Sequence, residues 1–159
     1  MLTLLALMLG LAAGEQQAAS GTFISAEEIA ATLKTSIANN TVDQPIKLVE
    51  LPGGHKASVA LLRRTKAETS ALIHDYVTEI YQIMDGTGTI VTGGMLMDPK
   101  ESDLTRVNAG MSHTGMHHGG ESRKVKPKDV IIVPAGMAHR FSELDGPITY
   151  LVYRFEPKR

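Results

Sequence analysis

Apolar residues fall at helical spacing in one place, Ile29, Leu33 and Ile37, directly after Ser25-Ala26-Glu27-Glu28. A serine followed three positions later by a glutamate is a capping box, since each side chain can bond a free amide of the first turn. The pattern predicts one amphipathic helix over 25–38, ended by the pair Asn39-Asn40. From Ile46 onward the period shortens to β-rich runs separated by turn residues. These cover 46–51, 56–64, 70–74, 78–84, 88–92, 94–97, 121–125, 130–133, 138–142 and 148–155. Many short runs with no second helix indicate an all-β sandwich or barrel rather than βαβ units. Residues 98–120 lack clear periodicity and are predicted as one long loop, a kind of segment that often carries function.

Ahead of the helix, residues 2–13 (LTLLALMLGLAA) form an apolar run. It is short for a bilayer span but of the length of a signal-peptide h-region, and small residues follow it. The expectation is a signal peptide over residues 1–19, cleaved near Gly14 or Ala19, which places the mature chain in the periplasm or outside the cell without stable membrane association. No Lys or Arg precedes the run. An uncleaved anchor or a packed N-terminal helix is therefore the competing reading.

The full length of 159 residues allows one domain, and residues 46–156 are long enough to bury a core of their own. Net charge is −1 with scattered basic residues, so a nucleic-acid partner has no electrostatic footprint. Cysteine is absent, which removes disulfides and thiolate chemistry and leaves His and carboxylates as the strong metal ligands. No serine sits in a nucleophile elbow, and the Gly86-Thr87-Gly88 and Gly93-Gly94 turns precede no helix that would bind phosphate.

The chemistry concentrates in two segments. His74, four residues, Glu79, six residues and Gly86 form the first; Pro134-Ala135-Gly136-Met137-Ala138-His139 forms the second. Together they offer two imidazoles and a carboxylate, the ligand types of a mononuclear site with open positions. Both segments, in this order, resemble the two motifs of the cupin superfamily, and the likeness covers about residues 46–156. The resemblance implies a jelly-roll β-barrel behind one N-terminal helix, with His74, Glu79 and His139 holding a divalent iron, manganese, nickel or zinc ion inside it. It also implies a small-molecule substrate and a metal-dependent oxygenase, isomerase or lyase; a noncatalytic ligand-binding barrel is the alternative. A homodimer through sheet edges is expected.

Two positions depart from the family pattern. The slot of its first histidine is Leu72, which shares strand parity with His74 and cannot ligate, so the usual four ligands fall to three. Lys128 stands where a glycine commonly opens the second motif. The competing view of the trio is a hydrogen-bonded interior cluster without metal. His113, His117 and His118 lie in the predicted loop, and His118 is the candidate to close over the site as a replacement ligand or general acid/base; a solvated loop is the alternative. Tyr81 shares parity with Glu79 and is the second catalytic candidate, against a plain core role. Arg63, Arg64 and Arg154 read as solvated strand-edge residues. Met84, Met95, Met97, Met111, Met116 and Met137 are dispersed along the chain, which favours core filling and loop packing.

Overall fold

A computed structural model of the protein describes residues 21–159; the apolar run of residues 2–13 and the expected cleavage sites lie outside the described residues. Helix α1 (Ala26–Asn39) forms where the capping box places it. The Ser25 hydroxyl accepts the Glu28 amide at 3.1 Å, and Asn40 closes the helix in the left-handed region, with φ of 50°.

The strands are β1 (Asp43–Glu50), β2 (Lys56–Arg64), β3 (Ala71–His74), β4 (Thr78–Asp85), β5 (Gly88–Thr92), β6 (Met95–Leu104), β7 (Gly110–His118), β8 (Glu121–Val125), β9 (Val130–Val133), β10 (His139–Leu144) and β11 (Ile148–Glu156). They form two antiparallel sheets, ordered β1-β2-β11-β4-β9 and β6-β7-β3-β10-β5-β8. The architecture is the all-β jelly roll expected, with one helix ahead of it; it takes the form of a sandwich, since the outer strands of each sheet pair on one side only.

The predicted loop over 98–120 is corrected by the structure. Most of it is strand: β6 runs on to Leu104, a short turn covers Thr105–Val107, and β7 returns. Backbone pairing holds this hairpin, with Glu101 opposite His113 and Ser102 opposite Ser112. The apolar alternation that reveals a strand is missing because β6 is an edge strand with mostly exposed side chains. A bulge after Met97, where Asp98 adopts a φ of 50°, breaks the period as well.

Inward side chains of both sheets meet in one apolar core that includes Leu62, Tyr81, Ile83, Ile90, Phe141 and Tyr150. Ring centroids lie 5.0 Å apart for Tyr81 and Tyr150 and 5.3 Å for Phe141 and Tyr150. Burying side chains of this size contributes about 1.5–3 kcal/mol each. Turn geometry fixes the strand ends around this core. At Gly86, with φ of 82°, an added Cβ would lie 2.2 Å from the Pro147 carbonyl oxygen, so only glycine fits there. Lys128 takes a φ of 80°, the backbone conformation glycine would supply, and its amide donates to the Ile83 carbonyl at 2.8 Å.

Candidate metal centre

One region between the sheets is polar. Strand β3 ends at His74, β4 begins one short connection later and carries Glu79, and β10 starts at His139. Register brings the three together: His139 lies opposite Leu72 on β3, and the Gly136 amide donates to the His74 carbonyl at 2.8 Å. The Pro134–Gly136 turn is thereby pinned to the strand that bears the first histidine. Ligand atoms of His74, Glu79 and His139 all lie within 4.8 Å of one another, and all three residues are buried.

Glu79 Oε2 is the focus of the cluster. It lies 3.3 Å from His74 Nε2 and 3.6 Å from His139 Nε2. The far nitrogens are committed elsewhere. His139 Nδ1 donates to the Met137 carbonyl at 3.0 Å, and His74 Nδ1 lies 2.9 Å from the Ser112 hydroxyl. A carbonyl only accepts, so that bond places the His139 proton on Nδ1, and in the neutral ring Nε2 turns a lone pair toward the carboxylate. Burial lowers the His139 pKa, which favours the neutral ring, although the Glu79 charge opposes the shift. A lone pair facing a carboxylate oxygen across a buried gap is the arrangement that a cation between them would satisfy. The donor set therefore fits a divalent ion.

The other carboxylate oxygen is engaged by a residue that the sequence reading placed at a solvated edge. Arg154 is 5% exposed, and its Nε donates to Glu79 Oε1 at 2.7 Å. The same guanidinium donates to Asp43 Oδ2 at 2.6 Å and to the Val107 carbonyl, tying β11 to β4, to β1 and to the turn after β6. Alternation could have revealed it: Tyr150, Val152 and Arg154 share one face of β11 and all are buried. Burial works against the Glu79 charge most strongly, yet the contacts with His74, Arg154 and His139 hold the carboxyl well below the usual range. Arg64 is a second correction. Its Nε donates to the Tyr150 hydroxyl at 2.7 Å and its Nη1 pairs with Glu68 at 2.9 Å.

Tyr81 lies where parity predicts, its hydroxyl donating to Glu79 Oε2 at 2.6 Å. Burial, and then the Glu79 charge, raise its pKa well above the ordinary value, so the phenol keeps its proton. These side chains line a chamber of about 170 Å³ whose apolar wall includes Leu62, Leu72 and Leu104. Leu72 faces the chamber as its parity predicts, and among the described residues no further histidine joins the trio in its place.

The loop histidines do not reach this chamber. His113 lies opposite Ile73, on the face of β7 that points away from Ser112, and its Nδ1 pairs with Asp75 at 2.9 Å. His117 Nε2 donates to the Gly93 carbonyl at 2.7 Å. His118, the expected replacement ligand, is exposed at the end of β7 opposite Met95. It shares a face with Ser112 but lies six residues further along a strand, about 20 Å at roughly 3.3 Å per residue. Ser112, which the sequence reading did not single out, is the β7 residue that touches His74.

No family model matches the sequence, and no curated protein matches it. Solved structures do. A protein from Bacillus halodurans aligns with a TM-score of 0.52 at 16% identity, covering 86% of this chain and 83% of that one. Hydroquinone 1,2-dioxygenase from Sphingomonas sp. TTNP3, solved with 4-hydroxybenzoate bound, aligns at 0.50 and 14% identity, covering 74% and 67%. A third match, from Desulfitobacterium hafniense, has a TM-score of 0.45 at 14% identity over 74% and 77% of the two chains. At these identities the likeness concerns the fold.

Proposed function

We propose that this chain, which has the cupin fold, is a metal-dependent enzyme acting on a small organic molecule, with His74, Glu79 and His139 as the ligands. The observation that carries the reading is the buried trio itself, with two imidazole nitrogens turned on one carboxylate oxygen. A divalent ion held there would supply Lewis-acid polarisation of substrate oxygens and, if redox-active, access to dioxygen chemistry.

The residues of the chain divide the remaining work. Arg154 occupies Oε1 and leaves Oε2 to face the histidines, so the carboxylate is presented through one oxygen. The Tyr81 hydroxyl keeps its proton and donates a hydrogen bond to that oxygen, which steadies the carboxylate and leaves the phenol a lone pair to accept from a substrate hydroxyl. Leu72 and its apolar neighbours narrow the chamber, which favours small substrates and limits water. Oxygenase and redox-neutral isomerase or lyase chemistry both suit such a site, and the dioxygenase among the structural neighbours puts small phenols on the substrate panel.

Metal analysis of protein purified without chelator, alongside His74→Ala and His139→Ala variants, tests the reading. Near-stoichiometric metal in the parent and its loss in both variants is the expected result, and a metal-free parent that gains none on reconstitution overturns it. Oxygen uptake on small phenols and on hydroxy and keto acids then separates oxygenase from redox-neutral chemistry.

A second reading has its own observation. Arg154 and Tyr81 already satisfy both oxygens of Glu79, as expected of a noncatalytic ligand-binding sandwich. Thermal stabilisation by small ligands without turnover would favour it.

A further inference from the structure

Three methionines on the β6–β7 hairpin are left in solvent: Met95, Met97 and Met116 are 57%, 46% and 63% exposed. Met116 lies about twenty positions from the other two in sequence, yet all three are neighbours in the ladder. Met95 lies opposite His118, Leu96 opposite His117 and Met97 opposite Met116. Directly opposed residues share a face with Cβ atoms about 4.5–5.5 Å apart, and the next pair on that face follows after roughly 7 Å. Met95, Met97, Met116 and His118 therefore form a two-by-two array on one face, three thioethers and an imidazole. Leu96 and His117 point the other way and are half-buried.

The frame of this array is fixed. Strand β3 pairs with β7 only as far as Gly115, so from Met116 onward β7 has β6 as its ladder partner. The ribbon ends are clamped where the connections before β6 and after β7 cross. A Cβ on Gly94 would lie 2.5 Å from the His118 carbonyl oxygen, and one on Gly120 would lie 3.0 Å from the Thr92 carbonyl oxygen. Close backbone contact at that crossing, together with the His117 bond to Gly93, leaves the register no room to slip.

Exposed methionine contributes little to stability, and a thioether is a poor hydrogen-bond acceptor. What thioethers do well is bind soft cations. Met sulfur with imidazole selects monovalent copper, whereas Mg²⁺, Ca²⁺ and Mn²⁺ prefer the oxygen ligands this array lacks. Methionine side chains have three rotatable bonds, so donors on two opposed pairs can converge on one ion. We propose that this face of the ribbon binds one Cu(I) ion through Met95, Met97, Met116 and His118, at a site separate from the buried trio.

The test uses the full chain under anaerobic conditions, with methionine methyl groups labelled with ¹³C and assigned by single Met→Leu variants. Titration with Ag(I), a redox-inert stand-in for Cu(I), is expected to shift the methyl signals of Met95, Met97 and Met116 together and to saturate at one equivalent. Competition against a chromophoric Cu(I) chelator is expected to show at least a hundredfold loss of affinity in Met97→Leu/Met116→Leu and about tenfold in His118→Ala. Leucine keeps the volume at exposed positions, and far-UV circular dichroism checks that the variants stay folded. Shifts confined to other methionines, a parent that does not compete for Cu(I), or a double variant that binds as the parent does would each overturn the proposal.

Discussion

Strand β7 carries both ends of a contrast. At Ser112 it packs against His74 in the buried centre; at Met116 and His118, about 13 and 20 Å along the same face at roughly 3.3 Å per residue, it faces water. In the chamber each side chain is held by a hydrogen-bond partner. Ser112 holds His74, the Met137 carbonyl holds His139, and Arg154 holds Glu79. On the ribbon the backbone and the inward His117 are held, and the exposed thioethers are free to turn. Hard, oriented donors require burial and partners to stay in place, whereas soft, flexible donors require only register. The two ends of one strand are thus suited to different ions, and damage to them has different costs.

The contrast is broken most severely at Arg154. Arg154→Ala leaves Glu79 and Asp43 facing each other without their shared cation, and removing one member of a buried ion network costs about 3–5 kcal/mol. Urea unfolding should show a loss of that size; a variant as stable as the parent would mean that the chamber does not depend on this network. Ser112→Ala comes next, because freeing the far nitrogen of a ligating histidine typically lowers metal affinity about 10- to 100-fold. Competition with a chelator reads that change, and full affinity in the variant would reduce Ser112 to packing. Tyr81→Phe keeps the ring contacts with Phe141 and Tyr150 and deletes only the bond to Glu79, an expected loss of about 1 kcal/mol in the same unfolding assay. Met97→Leu/Met116→Leu should change stability by no more than about 0.5 kcal/mol, as exposed substitutions do. A larger loss would show that the ribbon methionines pack in the folded protein, and the contrast with the chamber would fall.

Much of the chamber was legible in the sequence. Motif spacing named His74, Glu79 and His139, and strand parity placed Leu72 and Tyr81 beside them, because a strand alternates strictly over so short a span. Parity would also have turned Arg154 inward, but an arginine is ordinarily a surface residue, and its acidic partners Glu79 and Asp43 lie 75 and 111 positions away. Beyond the run at 94–97, the hairpin was not legible. An exposed edge strand with a bulge shows no apolar rhythm, so the β6–β7 segment looked like a loop, and His118 looked free to fold over the site when the ladder holds it at the far end of β7.

By itself the sequence determined the class of structure, the helix and its cap, and the ligand types of the centre, since these follow from local spacing and residue chemistry. Tertiary structure decided what depends on pairing between distant strands. Register alone set which oxygen of Glu79 faces the histidines, which residue holds the other oxygen, and that methionines some twenty positions apart share one face. Such contacts are fixed by backbone hydrogen bonds between strands, and those bonds leave no pattern in the side chains of either strand read singly.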